Sequence, residues 1–121
     1  MSESSMTVVA PILPVAELKR AIDFYRAVLG FDVAWIAGGE PPRIASICRD
    51  DIYMMMRNDS AARNSEIYIT LTGIDACYER AVAAGAKVLE PIADRQYGMR
   101  DFAIEDPDGN RISLGEELAK K

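Results

Sequence analysis

The feature that most constrains the fold of this chain is a repeat, because its second half shows the same order of strand-like and helix-like segments as its first. When the two halves are superimposed, Ala10 aligns with Glu66. Self-similarity over about half a chain length indicates a duplicated supersecondary unit, and one such unit cannot cover its own sheet. We therefore predict one domain, residues 1–121, built from a first module at about 7–58 and a second at about 64–117.

Each module is predicted to consist of a strand, a helix and three further strands. In the first module, residues 7–15 have a β-rich composition, and apolar residues then recur at helical spacing until Gly30. In the second, the segment EIYITL alternates apolar and polar side chains, a helix ends at Gly85, and the late segment DPDGN has the residues of a hairpin turn. The pattern predicts an α+β fold in which two β-α-β-β-β modules form a curved mixed sheet around a cleft, with the helices on the outer face.

The chain contains no histidine, and this absence excludes several kinds of chemistry. Serine and cysteine triads of the usual kind, histidine general bases and histidine metal ligands are all ruled out. The net charge of −5 argues against a nucleic-acid partner, because phosphate binding requires a basic patch. The same charge is compatible with a cationic small molecule.

Nothing in the sequence predicts a membrane protein or a secreted one. No segment approaches the ~18 consecutive apolar residues that a membrane helix requires, and the opening MSESSM lacks the basic-then-apolar pattern of a secretory signal. Cys48 and Cys77 lie in apolar runs and are expected to be buried free thiols. We therefore expect a cytoplasmic protein without membrane or nucleic-acid partners.

Two motifs carry a resemblance to a known group of proteins. LPVAELKRAIDFYRAVLGFDV near the start and GMRDFAIEDPDGNRISL near the end resemble the vicinal oxygen chelate superfamily, which includes glyoxalase I, extradiol dioxygenases, fosfomycin-resistance enzymes and bleomycin-resistance proteins. The resemblance extends from about Val8 to Glu117. It implies the same fold, but a fold by itself does not identify a function.

The metal-dependent members of that superfamily place metal ligands at four related strand positions facing the cleft. Carried over to this chain, those positions hold Ala10, Met55, Glu66 and Ser113. Only Glu66 offers a good oxygen ligand, whereas catalysis by a divalent metal requires three or four converging donors. We therefore expect no metal and no other cofactor.

Among the metal-free members, the chain most resembles the bleomycin-resistance proteins, which bind a drug without altering it. Those proteins are dimers whose grooves, at the subunit interface, are walled by aromatic rings. The resemblance therefore implies a homodimer that binds a planar or cationic small molecule. The ligand-binding positions that it implies are Trp35, Ile44, Met55, Arg57, Glu66, Tyr68, Tyr97 and Ser113.

Two of these positions depart from the resistance proteins. Trp35, Tyr68 and Tyr97 are aromatic, but Ile44 and Met55 stand where the resistance proteins tend to carry rings. Because ring stacking contributes ~0.5–1.5 kcal/mol per pair, the missing rings make bleomycin itself a weaker candidate than another planar or amphipathic molecule.

Glu66 is the expected partner of a cationic ligand. A carboxylate in a partly apolar cleft is costly unless it is solvated or paired. Arg43, Arg57 and Arg111 are the alternative, structural partners for this charge. The sequence leaves the choice between an arginine and a ligand cation open.

Three classes of function are compatible with these observations. The first, which the ring positions and the missing metal donors favour, is a non-catalytic binder that sequesters a drug. The second is an enzyme of the same superfamily, a lyase or isomerase that uses Glu66 as general base or a metal enzyme with unusual ligands. The third is a subunit that uses the fold to recognise a partner protein.

Overall fold

The two halves of the chain have the same order of elements. The computed structural model describes residues 4–59 and 64–119. The first module contains β1 (Ile12–Val15), α1 (Leu18–Leu29), β2 (Asp32–Ala37), β3 (Ile44–Arg49) and β4 (Ile52–Asn58). The second contains β5 (Glu66–Thr70), α2 (Ile74–Ala83), β6 (Lys87–Asp94), β7 (Met99–Glu105) and β8 (Arg111–Glu117). The predicted α+β class and the two β-α-β-β-β modules are confirmed.

Each module forms its own four-stranded sheet, with strand orders β1-β4-β3-β2 and β5-β8-β7-β6. In each sheet the first strand runs parallel to the last, and the other neighbours are antiparallel. Helix α1 packs against β3 and β4, and helix α2 packs against β6, β7 and β8. The helices therefore cover one face of each sheet, which we call the helix face, and the other side is the open face.

Helix α1 forms because its apolar residues recur on one side and its end is terminated by a glycine. Its buried residues are Leu18, Ala21, Ile22, Tyr25, Val28 and Leu29. Gly30 has a φ of 74°, a left-handed conformation that costs glycine little. The amides of Gly30 and Phe31 donate to the carbonyls of Arg26 and Tyr25, which would otherwise lack partners at the helix end.

Strand β1 is shorter than the sequence predicts. The predicted strand covered residues 7–15, whereas the ladder with β4 includes only Ile12–Val15. The carbonyl of Pro11 still accepts a hydrogen bond from the amide of Met55. Pro11 has no amide proton of its own, however, so it cannot donate to a neighbouring strand, and the ladder stops there.

The DPDGN segment is a turn, as predicted, and its side chains also join the two modules. The Tyr25 hydroxyl of α1 donates a 2.7 Å hydrogen bond to the carboxylate of Asp106. The same carboxylate accepts from the amides of Asp108 and Asn110, and from the Asn110 side chain at 2.9 Å. The buried carboxylate of Asp106 is therefore hydrogen-bonded both to the turn and to α1.

Two further contacts from the same turn reach the first module. The side chain of Asn110 donates to the carbonyl of Pro14 in β1 at 3.1 Å. The Asp108 carboxylate accepts from the amide of Ala16 at 2.8 Å and from the guanidinium of Arg20 at 2.7 Å. The segment before α1 and the turn before β8 are thus fixed against each other.

We expect Tyr25→Phe to lower the free energy of unfolding by about 1.5–3 kcal/mol, the usual contribution of a hydrogen bond to a charged group. The Tyr25 side chain is fully buried, so water cannot replace the lost donor to Asp106. Urea unfolding followed by circular dichroism measures the change. Tyr78→Phe is the matched control, because Tyr78 packs its ring against Phe102 and its hydroxyl has no hydrogen bond to another described residue. Equal stabilities of the two variants would show that Asp106 does not depend on Tyr25.

Candidate functional site

The open face of the second sheet contains a cavity of about 350 Å³. Its lining residues all belong to the second module, and they combine acids, arginines and aromatic rings. They are Glu66, Tyr68, Glu90, Arg95, Tyr97, Asp101, Phe102, Ala103, Arg111 and Ser113. We refer to this cavity as the tyrosine pocket.

Strand alternation places the residues of one wall of the pocket. In β5, Glu66 and Tyr68 lie on the open face, while Ile67 between them packs against the core. The neighbouring strand β8 pairs with β5 in parallel, so that Arg111 lies beside Glu66 and Ser113 beside Tyr68. The alternating sequence of β5 therefore produces a polar wall on the side away from α2.

Asp101 of β7 lies at the floor of the pocket and is only 6% exposed. One of its carboxylate oxygens accepts hydrogen bonds from the hydroxyls of Tyr68, at 2.9 Å, and Tyr97. The other accepts from Nε of Arg95 at 2.8 Å. Arg95 is fixed in turn, because its Nη2 donates to the carbonyls of Pro91 and Asp101. One carboxylate thus holds two rings and one guanidinium in place.

These contacts determine the charge state of the pocket floor. Burial alone would raise the pKa of Asp101, but the hydrogen bonds from Tyr97, Arg95 and Tyr68 outweigh burial and hold that pKa below its usual value. Burial and the hydrogen bond to Asp101 raise the pKa of Tyr68 to about 12. The hydrogen bond to Asp101 also raises the pKa of Tyr97. At neutral pH Asp101 is therefore ionised, and both tyrosines are protonated.

Gly115 of β8 makes room for this network. It pairs with Asp101 across the sheet, directly beneath the ring of Tyr68. A Cβ atom at Gly115 would lie 2.1 Å from the Tyr68 hydroxyl oxygen and 2.8 Å from the ring carbon that carries it. Any larger residue there must displace Tyr68 from Asp101.

The two glutamates of the pocket differ in their partners. The carboxylate of Glu66 lies 3.7 Å from Nε of Arg111, so Arg111 is the arginine that the structure places beside it. Arg43, another of the arginines that the sequence offers as a partner for Glu66, instead donates to the carbonyl of Gly38. Glu90 has no ion pair with any residue of the described part of the chain.

The structure divides the sequence-predicted site residues between two faces. Glu66, Tyr68, Tyr97 and Ser113 line the tyrosine pocket. The other four lie on the open face of the first sheet, because their neighbours along the strands, such as Met54 and Met56, are buried against α1. These four residues are Trp35, Ile44, Met55 and Arg57. Among the described residues that line the tyrosine pocket, none belongs to this second group of four.

Six residues of the pocket are not among the site residues predicted from the sequence: Glu90, Arg95, Asp101, Phe102, Ala103 and Arg111. Arg111 was considered only as a partner of Glu66. The sequence does contain a signal for Asp101. It is an acid at the start of the strand RDFAIED, and it lies on the same face of that strand as the apolar Ala103. Arg95 has no such signal, since a turn between β6 and β7 brings it to the pocket.

No group of three or more acidic, cysteine or histidine side chains within residues 4–59 and 64–119 is arranged to hold a metal ion. Of the four positions implied as metal ligands, Ala10 precedes β1, Met55 lies in the first sheet, and Glu66 and Ser113 lie in the second. Both cysteines are free thiols, as predicted, but only Cys77 is buried as expected, whereas Cys48 is partly exposed. No described helix is long and apolar enough to cross a membrane.

Comparison with known proteins gives a consistent picture. The family model described as the glyoxalase/bleomycin resistance protein/dioxygenase superfamily matches residues 7–114. A bleomycin resistance protein from Geobacillus stearothermophilus is 29% identical over 127 residues, which cover 89% of this chain and 95% of that protein.

Two solved structures show the same fold. TnmS3, an antibiotic binding protein from Streptomyces sp. CB03234, superposes with a TM-score of 0.79 at 22% identity, over 95% of this chain and 99% of its own. A bleomycin-binding protein complexed with bleomycin superposes with a TM-score of 0.76 at 18% identity, over 93% of this chain and 99% of its own. At these identities the structures establish the fold alone.

We expect the Tyr68 hydroxyl to lose its proton near pH 12 rather than near 10. Because its pKa is higher in the folded than in the unfolded chain, the stability that this contact contributes is present below about pH 10 and is lost as the pH rises towards 12. The measurement is tyrosinate absorbance against pH, taken as the difference between the wild type and Tyr68→Phe. A difference curve with its midpoint at the value of the urea-unfolded chain would contradict the hydrogen bond to Asp101.

Proposed function

The chain belongs to the glyoxalase/bleomycin resistance protein/dioxygenase superfamily, and we propose that it is a non-catalytic protein that binds and sequesters a small drug-like molecule. The observation that carries this proposal is the tyrosine pocket, whose two rings are held by Asp101. A concave site with aromatic walls and a few fixed polar groups is typical of small-molecule binding. The similar bleomycin resistance protein supports the same conclusion.

The superfamily's description includes both resistance proteins and dioxygenases, so membership leaves catalysis open. The chemistry of the pocket favours binding. A general base works best with a pKa near the operating pH, whereas Asp101 has a lowered pKa and Tyr68 a raised one. Glu66, the alternative base of a glyoxalase-like enzyme, is 71% exposed and lies beside Arg111. The shifted pKa values therefore make Asp101 and Tyr68 poor general bases, and Glu66 is exposed to solvent beside an arginine.

The pocket suits a planar or cationic ligand. The residues Tyr68 and Tyr97 are 46% and 66% exposed, so each offers surface on which a flat molecule can stack. The pocket holds three carboxylates and two guanidinium groups, so its charge is negative. The net charge of −5 adds long-range attraction for a cation.

We infer that the working form is a homodimer. The open face of the first sheet leaves Ile12, Trp35 and Tyr53 at least 41% exposed, and exposed apolar patches commonly mark an interface. A partner chain on this face would cover these residues and would bring its own tyrosine pocket close to them. This is how Trp35 would reach a ligand bound in the tyrosine pocket of the other chain.

We place the protein in the cytoplasm. Cys48 and Cys77 remain free thiols, and thiols persist where the compartment is reducing. A sequestering protein in that compartment would meet a drug after it has entered the cell.

We expect the protein to bind bleomycin or the planar cation ethidium. A ligand present at a hundred times its Kd should raise the free energy of unfolding by about 2.7 kcal/mol. Tyr68→Ala and Trp35→Ala should each weaken binding about tenfold, or ~1.4 kcal/mol. Val82→Ala, on an exposed apolar residue of α2, is the control and should leave affinity unchanged. Calorimetry gives the affinities, and chromatography of the ligand shows whether it is recovered unchanged. Conversion of the ligand would overturn the non-catalytic proposal.

A homodimer should be visible by sedimentation velocity at micromolar concentration, since a stable interface buries about 1,000 Å² or more. Trp35→Glu places a charge on the proposed interface and should shift the protein towards monomer. Val82→Glu adds the same charge to an apolar residue of α2 with similar exposure and should not. A wild-type protein that sediments only as monomer would contradict the proposed assembly.

A further inference from the structure

We propose that Asp101 makes the phenol groups of the tyrosine pocket accept hydrogen bonds from a ligand instead of donating them. The site therefore selects ligands with a cationic N–H group, and Glu90 supplies the counter-charge. This inference rests on the proposed binding function. Asp101 acts here as a positioning residue, because it shapes what Tyr68 and Tyr97 present to a ligand.

The first step concerns the two phenol groups. A hydroxyl has one proton to donate, and an ionised carboxylate can only accept. The hydroxyls of Tyr68 and Tyr97 both donate to the same oxygen of Asp101. Their protons are therefore used within the protein, and the phenol oxygens offer only lone pairs to a bound molecule. A ligand must donate to them.

The second step concerns the cations of the pocket. Nε and Nη2 of Arg95 donate to Asp101 and to the carbonyl of Pro91, and its side chain is 26% exposed. Arg111 lies beside the carboxylate of Glu66. Arg95 is therefore bound to Asp101 by a 2.8 Å hydrogen bond, and Arg111 has an ionic contact with Glu66 at 3.7 Å. Each guanidinium group thus has an acidic neighbour that competes with an anionic ligand.

The third step concerns the remaining acid. Of the three carboxylates in the pocket, Asp101 faces Arg95 and Glu66 faces Arg111. Glu90 lines the same cavity and has no ion pair within 4 Å among the described residues, and its charge acts on the more distant guanidinium of Arg95. It pairs with Ala103 across β6 and β7, on the face that Asp101 shares. A ligand cation would thus meet an unpaired carboxylate together with phenol oxygens that accept hydrogen bonds.

Three planar probes of one size test the selection: benzamidine, which is cationic, benzamide, which is neutral, and benzoate, which is anionic. Their affinities are measured by chemical-shift titration of the isotope-labelled full chain. We expect benzamidine to bind at least about tenfold more tightly than benzoate, with shifts at Tyr68, Tyr97 and Glu90. Equal binding of benzamidine and benzoate would overturn the proposal.

The variants separate the roles of the residues. Glu90→Gln should weaken benzamidine and leave benzamide unchanged, whereas Glu79→Gln, the same change on the exposed side of α2, should alter neither. Asp101→Asn should reduce the preference for benzamidine over benzoate at least threefold, because the amide is neutral and has one acceptor oxygen for the three donors that Asp101 binds with two, which leaves a donor available to an acceptor. An unchanged preference in a folded Asp101→Asn protein would refute the role of Asp101.

Two milder changes keep the test decisive if Asp101→Asn does not fold. Tyr68→Phe removes one acceptor oxygen and leaves the charge of Asp101, and Gly115→Ala displaces the Tyr68 hydroxyl from it. Both should lower the preference for benzamidine, and an undiminished preference in both would count against the proposal.

If ethidium binds but the probe preference is absent, only this inference fails. If neither bleomycin, ethidium nor any of the three probes binds the pocket, the proposed binding function fails as well.

Discussion

The hydrogen bond between the Tyr25 hydroxyl and the Asp106 carboxylate is the contact on which the arrangement of the two modules depends. Both residues are buried, and they are 81 positions apart in the chain. A buried carboxylate that lost its partners would be costly, so this charge requires α1 and the turn before β8 to stay together. Arg80 of α2 strengthens the arrangement, because it donates to carbonyls at the end of α1 and thereby satisfies groups that a helix leaves free. With the helices docked, both sheets turn their open faces away from the core.

The tyrosine pocket, on the open face of the second sheet, is also organised by one carboxylate that accepts several hydrogen bonds. Asp106 gathers donors from a helix and a turn in the core, and Asp101 gathers Tyr68, Tyr97 and Arg95 around a ligand-sized space. The hydrogen bonds from Tyr97, Arg95 and Tyr68 hold the pKa of Asp101 below its usual value. That makes Asp101 a poor proton acceptor but a rigid support for two rings. The hydrogen bonds that make Asp101 a poor general base are therefore the same bonds that fix the two rings, and groups fixed in advance would lose less entropy on contact with a ligand.

Alternation and glycine positions made much of the architecture predictable. The pattern of EIYITL correctly indicated that Tyr68 and Ile67 lie on opposite sides, and Gly30 ended α1 where expected. Resemblance to a superfamily, read from two motifs, was confirmed. The pocket floor was missed, because Asp101 is important through partners from β5 and from the turn after β6, and spacing along one strand does not reveal such partners. Likewise, DPDGN predicted a turn, but its bonds to Tyr25 and Pro14 depend on segments more than eighty residues away.

What the sequence by itself determined is local: the period of each strand and helix, their boundaries to within a few residues, the repeat, and the absence of histidine chemistry. These follow from short-range sterics and from the separation of apolar and polar side chains. Only the tertiary structure decided which of the candidate residues share a cavity, that Glu66 faces Arg111, and that Asp101 fixes the tyrosines. The reason is that a hydrogen bond or an ion pair requires atoms within about 3–4 Å, and the relative placement of strands distant in sequence is set by the packing of the whole core.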